Sequence, residues 1–324
     1  MKKRTQFGGL FLIAALVVIT VLLVLMFGFI EKLIGRDNKS PESLNYTDSG
    51  DSRIYYNDTW YTRSDSIETL LVLGIDKMAD NEDASSQADF IALVVMDEDN
   101  KSFRILHINR DTMTEVNQLD KHGNKYGSFT AQLALAHAYG GTGKIQCRNT
   151  VASVEKLLYE IDIDHYMSVT MDAVPIINDS IGGVTLTLDN DYPALGSEYV
   201  KGAQITLVGE AALSFVRWRN DSPDGSNLER MERQRTYIAA AFSRYASLED
   251  DPALDTMFKV NEYLVSDCTV NQLSDLLESL QSYTYNGTLP VAGEAKKGSE
   301  YVEFYADEDA LKETVIDLFY EQEV

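Results

Sequence analysis

The sequence predicts a mixed α/β fold behind a single N-terminal membrane span. Three observations carry this reading. Ile67–Leu73 (IETLLVL), Phe90–Met96 (FIALVVM) and Phe103–Ile108 (FRILHI) are short apolar or alternating runs rich in branched residues, the signature of strands. Helical stretches follow over residues 128–139 and 148–160, the second aligning Val151, Val154, Leu157 and Leu158 on one face. Near the N-terminus, 23 residues from Gly8 to Ile30 carry no charge, enough to cross a bilayer.

Taken in order, Lys2, Lys3 and Arg4 precede the apolar run. The excess of basic residues on the cytoplasmic side puts residues 1–7 inside, 8–30 in the membrane and the rest outside. A cleaved signal peptide has a shorter apolar region and a small-x-small cleavage site, which GFIEKLIGR does not offer. Residues 31–63 are polar and turn-rich and read as a juxtamembrane stalk, with the folded body starting at residue 64. The second and third strands are separated by the polar turn DEDNKS and form a hairpin. Further strands are expected around Tyr166–Met171 and Val184–Leu188. Ala211–Arg217 fits either a helix end or a strand. Asn227 is placed to cap a helix whose apolar seam is Leu228, Met231, Ile238, Phe242 and Tyr245. Beyond Ser247 come a helix around 270–281, strands near 283–291 and 300–305, and a last helix from Asp307. These are too few strands for a core of their own, so residues 248–324 extend the domain of residues 64–247.

The chain has a net charge of −23, and beyond residue 30 its 25 basic residues face 51 acidic ones, a net −26. So acidic a surface argues against nucleic acid or an anionic membrane surface as a general partner. Cys147 and Cys268 are the only cysteines. Outside the cell they are permitted one disulfide, although their separation is not readable from sequence. The four histidines show no metal-binding spacing, and neither a phosphate-binding glycine loop nor a GxSxG elbow is present. His107 and His137 read as packed side chains.

If the first three strands form an antiparallel meander, the end of each lies beside the start of the next. Asp76 follows the first strand, Asp89 precedes the second, and Arg110 and Asp111 follow the third, so all four reach one edge of the sheet. Two carboxylates beside an arginine suit a magnesium ion that bridges to phosphate. Turn-forming loop aspartates are the alternative. The segment SFVRWRNDSPDGSNLERMERQR then places five arginines between Arg217 and Arg235. Arginine is favoured where planar, bidentate contact with phosphate is needed. On a strand, Arg217 and Arg219 would share a face. On the following helix Arg230 and Gln234 face the same way, with Arg233 adjacent. A solvated face laced by Glu229 and Glu232 is the alternative, and it accounts for Arg235.

As an ordered set, LLVLGID, QADFIALVVM, ILHINRDT, AHAYGG, TVASVEKLL, IDHYMSVTMDAVPIINDSIGGVTLTL and GEAALSFVRWRN…RMERQR resemble the LytR-CpsA-Psr family over roughly residues 67–245. The resemblance implies an α/β fold with a mixed central β-sheet flanked by helices. It also implies transfer of a glycopolymer, of teichoic acid or capsular polysaccharide type, from an undecaprenyl-pyrophosphate carrier to peptidoglycan. Asp76 and Asp89 would then hold Mg2+. Arg110, Arg217, Arg219, Arg230 and Gln234, with Arg233 beside them, would bind the pyrophosphate, and Asp111 or a metal-bound carboxylate would orient the acceptor hydroxyl. This chain reads INRDT where the family commonly has IPRDT, and it lacks the lysine that family members place before the next helix, unless Lys125 substitutes. A pyrophosphatase on the same lipid and a non-catalytic polyprenyl-phosphate-binding protein are the competing functions.

Overall fold

In the computed structural model of the chain the end of the presumed stalk is a hairpin. The structure describes residues 53–76, 86–139, 143–219, 226–298 and 301–323. The expected cytoplasmic tail, membrane span and first part of the stalk lie outside these residues. Among the described residues no helix is long and apolar enough to cross a membrane. Residues Ser52–Val324 form one unit.

Strand β1 (Arg53–Tyr56) turns through Asn57 and Asp58 into β2 (Thr59–Arg63). Both turn residues have positive φ, 47° and 62°, the backbone that a two-residue hairpin demands and that Asn and Asp tolerate. Residues 53–63, expected in the stalk, are therefore strand and turn. The last strand of the chain pairs with β2, placing Tyr320 opposite Arg63, and the Arg53 guanidinium clasps Glu323.

The three apolar runs form the predicted meander: β3 (Ile67–Ile75), β4 (Ala88–Asp97) and β5 (Ser102–Ile108), all antiparallel. A separate hairpin follows, β6 (Met113–Leu119) with β7 (Lys125–Gln132). The first part of the helix expected over 128–139, residues 128–132, is thus strand. Helix is confined to Ala134–Ala138, and a longer helix runs from Lys144 to Leu157. Strand β8 (His165–Thr170) adds parallel to β3; β9 (Val184–Thr187) and β10 (Gln204–Leu207) pair apart. From the C-terminal third, β11 (Leu264–Ser266) adds antiparallel to β8, and β12 (Thr284–Pro290) adds parallel to β5. The mixed sheet has the order β11-β8-β3-β4-β5-β12, so strands from the C-terminal third complete it at both edges. Strands β13 (Gly293–Lys297) and β14 (Val302–Ala306) form a hairpin, and β15 (Tyr320–Gln322) closes on β2.

Side chains alternate across the sheet. Leu70, Ala92, Val94, Phe103 and Ile105 point to one face, where they pack with residues of helices Ala173–Ser180, Ser226–Ala246, Ala253–Val260 and Val270–Ser282. Leu71, Leu73, Ile91, Leu93 and Leu106 point to the other and are all fully buried. Each such side chain contributes about 1.5–3 kcal/mol, and burial on both faces explains why the strands read as continuous apolar runs. Cys147 and Cys268 are both free thiols. Cys268 packs on the Leu70 face. Cys147 is buried with its sulfur 3.9 Å from His137 Nε2, and the permitted disulfide is not formed.

Candidate active site

The meander delivers its acidic and basic residues to one edge, as the strand order requires. Asp76 follows β3, Asp89 is the second residue of β4, and Arg110 and Asp111 follow β5. Gly74 opens the space behind them, since a Cβ there would lie 2.9 Å from Cβ of Phe90.

Asp89 is buried at the centre of the arginines. Its Oδ1 is paired with Arg110, and its Oδ2 accepts from Arg219 Nη2 at 2.5 Å and from Arg230 Nη1 at 3.3 Å. Arg217 Nη2 stands 2.8 Å from Asp76 Oδ1. That is ion-pair distance, but out of line for a hydrogen bond, and this buried oxygen has no hydrogen-bond partner among the described residues. Burial, followed by the Arg219 and Arg110 guanidiniums, pulls the pKa of Arg230 down to about 9. Arg110 is lowered as well, chiefly by burial. An arginine side chain keeps its proton. Three guanidiniums converging on one carboxylate therefore leave excess positive charge in a partly dry pocket, and the arrangement favours a further anion.

The arginine-rich segment reaches the site by a route the sequence reading did not choose. Glu210–Arg217 is a helix that ends at Arg217, and Trp218 is extended with φ −53° and ψ 141°. Arg217 and Arg219 are therefore not on a strand. The helix end and the extended residue aim one at Asp76 and the other at Asp89. Arg233, expected at the ligand, does not face it. It is buried, its Nε donates to the carbonyl of Phe215 at 2.6 Å, its Nη2 donates to that of Trp218, and its guanidinium lies 5.1 Å from the Trp218 ring centroid. It satisfies carbonyls at the end of helix Glu210–Arg217 and so holds the segment that presents Arg217 and Arg219. Gln234 donates to the carbonyl of Val216 at 3.0 Å and lines the site cavity.

Four polar residues were missed. Gln87 accepts from Arg110 Nη2 at 2.5 Å. Asn227, expected as a helix cap, uses its amide to bridge Asn109 Oδ1 at 2.7 Å and Asp111 Oδ2 at 2.8 Å, while its Oδ1 accepts from Arg230 at 2.6 Å. Gln132 donates to Asp111 Oδ1 at 2.9 Å. The signal available for Asn109 and Gln87 was their position beside Arg110 and Asp89. Asp111 is thus fixed in a polar network, and burial raises its pKa despite the neighbouring guanidiniums.

Three cavities meet here. One of about 200 Å³ lies behind the carboxylates, lined by Asp89, Arg217, Arg230 and Gln234 on one side and by Val169 and Ile177 on the other. It adjoins a larger one of about 290 Å³, with which it shares Val72, Phe90, Ile177, Tyr237 and Ile238, and whose walls are almost wholly apolar. On the outer side a polar recess of about 240 Å³ is bounded by Arg110, Asp111, Gln132, Arg219, Asn227 and Tyr301. The donor chemistry fits magnesium. Asp76 and Asp89 supply hard oxygens, one of them buried and open, and waters and phosphate oxygens fill the rest of such a shell.

A two-carboxylate, multi-arginine pocket thus lies at the edge of a mixed sheet, beside a cavity with apolar walls. The LytR_cpsA_psr family profile matches residues 30–316, and the chain belongs to this family. It is 26% identical over 249 residues to the polyisoprenyl-teichoic acid–peptidoglycan teichoic acid transferase TagU of Bacillus mycoides (strain KBAB4), covering 76% of each chain. It is 27% identical over 247 residues to TagU of Bacillus cereus (strain AH820), covering 76% of this chain and 75% of that one. Among solved structures, B. subtilis TagV superposes with a TM-score of 0.60 at 24% identity, over 78% of this chain and 97% of that one. TagT bound to LIIa-WTA superposes with a TM-score of 0.60 at 23% identity, over 78% and 90%. These structures share the mixed sheet flanked by helices.

Proposed function

We propose that the chain is a phosphotransferase that moves a glycopolymer, of teichoic acid or capsular type, from an undecaprenyl-pyrophosphate carrier to peptidoglycan. The observation that carries this reading is the junction of the two inner cavities: a cluster of guanidiniums at the mouth of an apolar tunnel matches a pyrophosphate head on a polyprenyl tail. The relatives' names, which specify teichoic acid transfer to peptidoglycan, support it. The apolar run at 8–30 would hold the site beside the bilayer in which the donor resides, on the extracytoplasmic face.

In this reading the lipid tail occupies the tunnel and the pyrophosphate lies among Arg110, Arg217, Arg219 and Arg230. The acceptor hydroxyl enters from the outer polar recess. Asp111, held by Gln132 and Asn227, orients it. The acceptor oxygen forms a bond to the sugar-proximal phosphorus, and the bond from that phosphorus to the bridging oxygen breaks. Polyprenyl phosphate leaves within the tunnel, and the acceptor proton passes to solvent. Asp76 and Asp89 would hold Mg2+, which supplies charge neutralisation at the pyrophosphate. The guanidiniums stabilise the charge gathering on the leaving phosphate, a preorganised electrostatic contribution of the kind that dominates phosphoryl transfer.

The test is the full chain in detergent with a short undecaprenyl-pyrophosphate oligosaccharide, peptidoglycan fragments and Mg2+, with products read by mass spectrometry. A glycan–phosphate–peptidoglycan adduct that disappears in Arg219→Ala is the expected result. Free glycan phosphate without adduct would mean a pyrophosphatase. Lipid retained without turnover would mean a binding protein.

A further inference from the structure

At the opposite end of β3 from Asp76, four metal-ligating side chains from three separate stretches of chain converge. Glu68 is the second residue of β3, His165 opens β8 opposite Leu70, and Asp267 and Cys268 follow β11. From Glu68 to Asp76 is eight residues of extended chain, roughly 26 Å. The cluster is therefore remote from the phosphate pocket. One ligand atom each from His165, Asp267 and Cys268 lie within 4.8 Å of one another. His165 Nδ1 stands 3.6 Å from Asp267 Oδ2, and Nε2 stands 3.6 Å from Glu68 Oε1.

We propose that His165 Nδ1, Asp267 Oδ2 and Cys268 Sγ bind one divalent transition metal of the zinc class. The donor types select it: imidazole, thiolate and carboxylate together suit zinc, whereas magnesium and calcium take oxygen alone. The 3.6 Å between His165 Nδ1 and Asp267 Oδ2 agrees, because ligands about 2.1 Å from a tetrahedral ion lie roughly 3.4 Å apart. Both ring contacts are too long to be hydrogen bonds, so the groups point together without satisfying one another.

The surroundings resemble those of a working ligand set. A metal-bound imidazole typically gives its other N–H to a carboxylate, which fixes the tautomer, and Glu68 stands at that nitrogen. Asp267 is oriented through its second oxygen, which accepts the backbone N–H of Tyr166 at 3.0 Å. His165 and Asp267 are 31% and 30% exposed, so an ion has access and water can fill the fourth position. On binding, the Cys268 thiol gives its proton to the buffer and the thiolate joins the metal. The ion would pin edge strand β11 and the start of helix Val270–Ser282 to the central sheet. Leu277 of that helix lines the larger cavity, so the clip would brace a wall of the tunnel.

The test uses the full chain in detergent, stripped with chelator and kept reduced, then titrated with Co2+ while the thiolate-to-cobalt charge-transfer absorption is read. One equivalent of Co2+ should produce the band, Zn2+ should abolish it, and excess Mg2+ should not. Cys268→Ser should lose it, His165→Ala should weaken binding at least tenfold, and Glu68→Gln should weaken it by about tenfold. Cys147→Ser should leave it unchanged. Saturating Zn2+ should raise the melting temperature of the parent chain and not that of Cys268→Ser. Absence of the band in the folded parent, its survival in Cys268→Ser, or full affinity in Glu68→Gln would each overturn the proposal. Should Cys268→Ser fail to fold, the Glu68→Gln titration decides alone.

Discussion

Ala241→Leu is expected to make the protein more stable and a poorer lipid binder at the same time. Ala241 lines the larger cavity of about 290 Å³ from helix Ser226–Ala246, near Tyr237, Ile238 and Tyr245. Leucine is nearly as good a helix former as alanine, so the backbone should not object. It adds three carbons to an apolar space that is open to receive them. At about 0.8 kcal/mol per buried methylene this is worth about 2 kcal/mol, or about 4 °C in melting temperature for a domain of this size. The same atoms exclude about one five-carbon isoprene unit, which by the same coefficient forfeits about 4 kcal/mol, a weakening of several hundredfold. The assay is a thermal melt of the lipid-free chain beside calorimetric titration with polyprenyl phosphates of increasing length. Short lipids that fill only the outer cavity should be little affected and long ones strongly. Equal weakening of short and long lipids, or an unchanged melt with unchanged long-chain affinity, would refute a tail-holding tunnel.

Asp89→Asn removes the carboxylate on which Arg110, Arg219 and Arg230 converge. Calorimetry should show inorganic pyrophosphate binding at least tenfold tighter without metal, while Mg2+-dependent turnover falls by about 100-fold or more. Weaker metal-free binding would contradict the excess positive charge. Arg233→Ala strips donors from the carbonyls of Phe215 and Trp218, and should cost about 3 kcal/mol in urea unfolding. Arg219→Ala, at a half-exposed side chain, should cost under about 1 kcal/mol. The reverse order would show that Arg233 is no structural post. Burial pushes the His107 pKa down to about 3, with Arg235 and Arg230 adding to the shift. The folded state therefore keeps His107 neutral, and its contribution is complete above about pH 6.5 and is lost as pH falls from there toward 3, by up to about 1.4 kcal/mol per unit. His107→Leu should flatten that part of the stability–pH profile, and an unchanged slope would mean that other groups set it.

The edge carrying Asp76, Asp89 and Arg110 was legible because a meander leaves no freedom about which strand ends are neighbours. The helix Ser226–Ala246 was legible from its apolar seam. By contrast, VRWR alternates like a strand, yet Phe215 and Val216 belong to a helix whose end is held by Arg233, 18 residues beyond Phe215, which local periodicity does not show. SFTAQLALAHA mixes two signals. Phe129 and Ala131 face inward between exposed Ser128 and Thr130, a strand pattern outweighed on paper by the alanines and leucines that follow. The Asn57–Asp58 hairpin carried a local turn signal that the polar composition around it concealed. Asn227 and Gln132 were not legible, because an amide shows its role only when its partners, brought from distant strands and helices, are in place.

Under the proposed function, one helix face would carry head and tail recognition in linear order. Arg230 and Gln234 come first, then Tyr237 and Ile238, then Ala241, Phe242 and Tyr245, at spacings of three and four that form one stripe roughly 22 Å long. In that reading the stripe would work as a graduated ruler laid beside the ligand, with each turn measuring a different segment of it. Substitutions at the last marks can therefore retune the accepted tail length without disturbing the phosphate end. A single-residue insertion after Gln234 would instead rotate every later mark by about 100°, and the whole scale would lose its register at once.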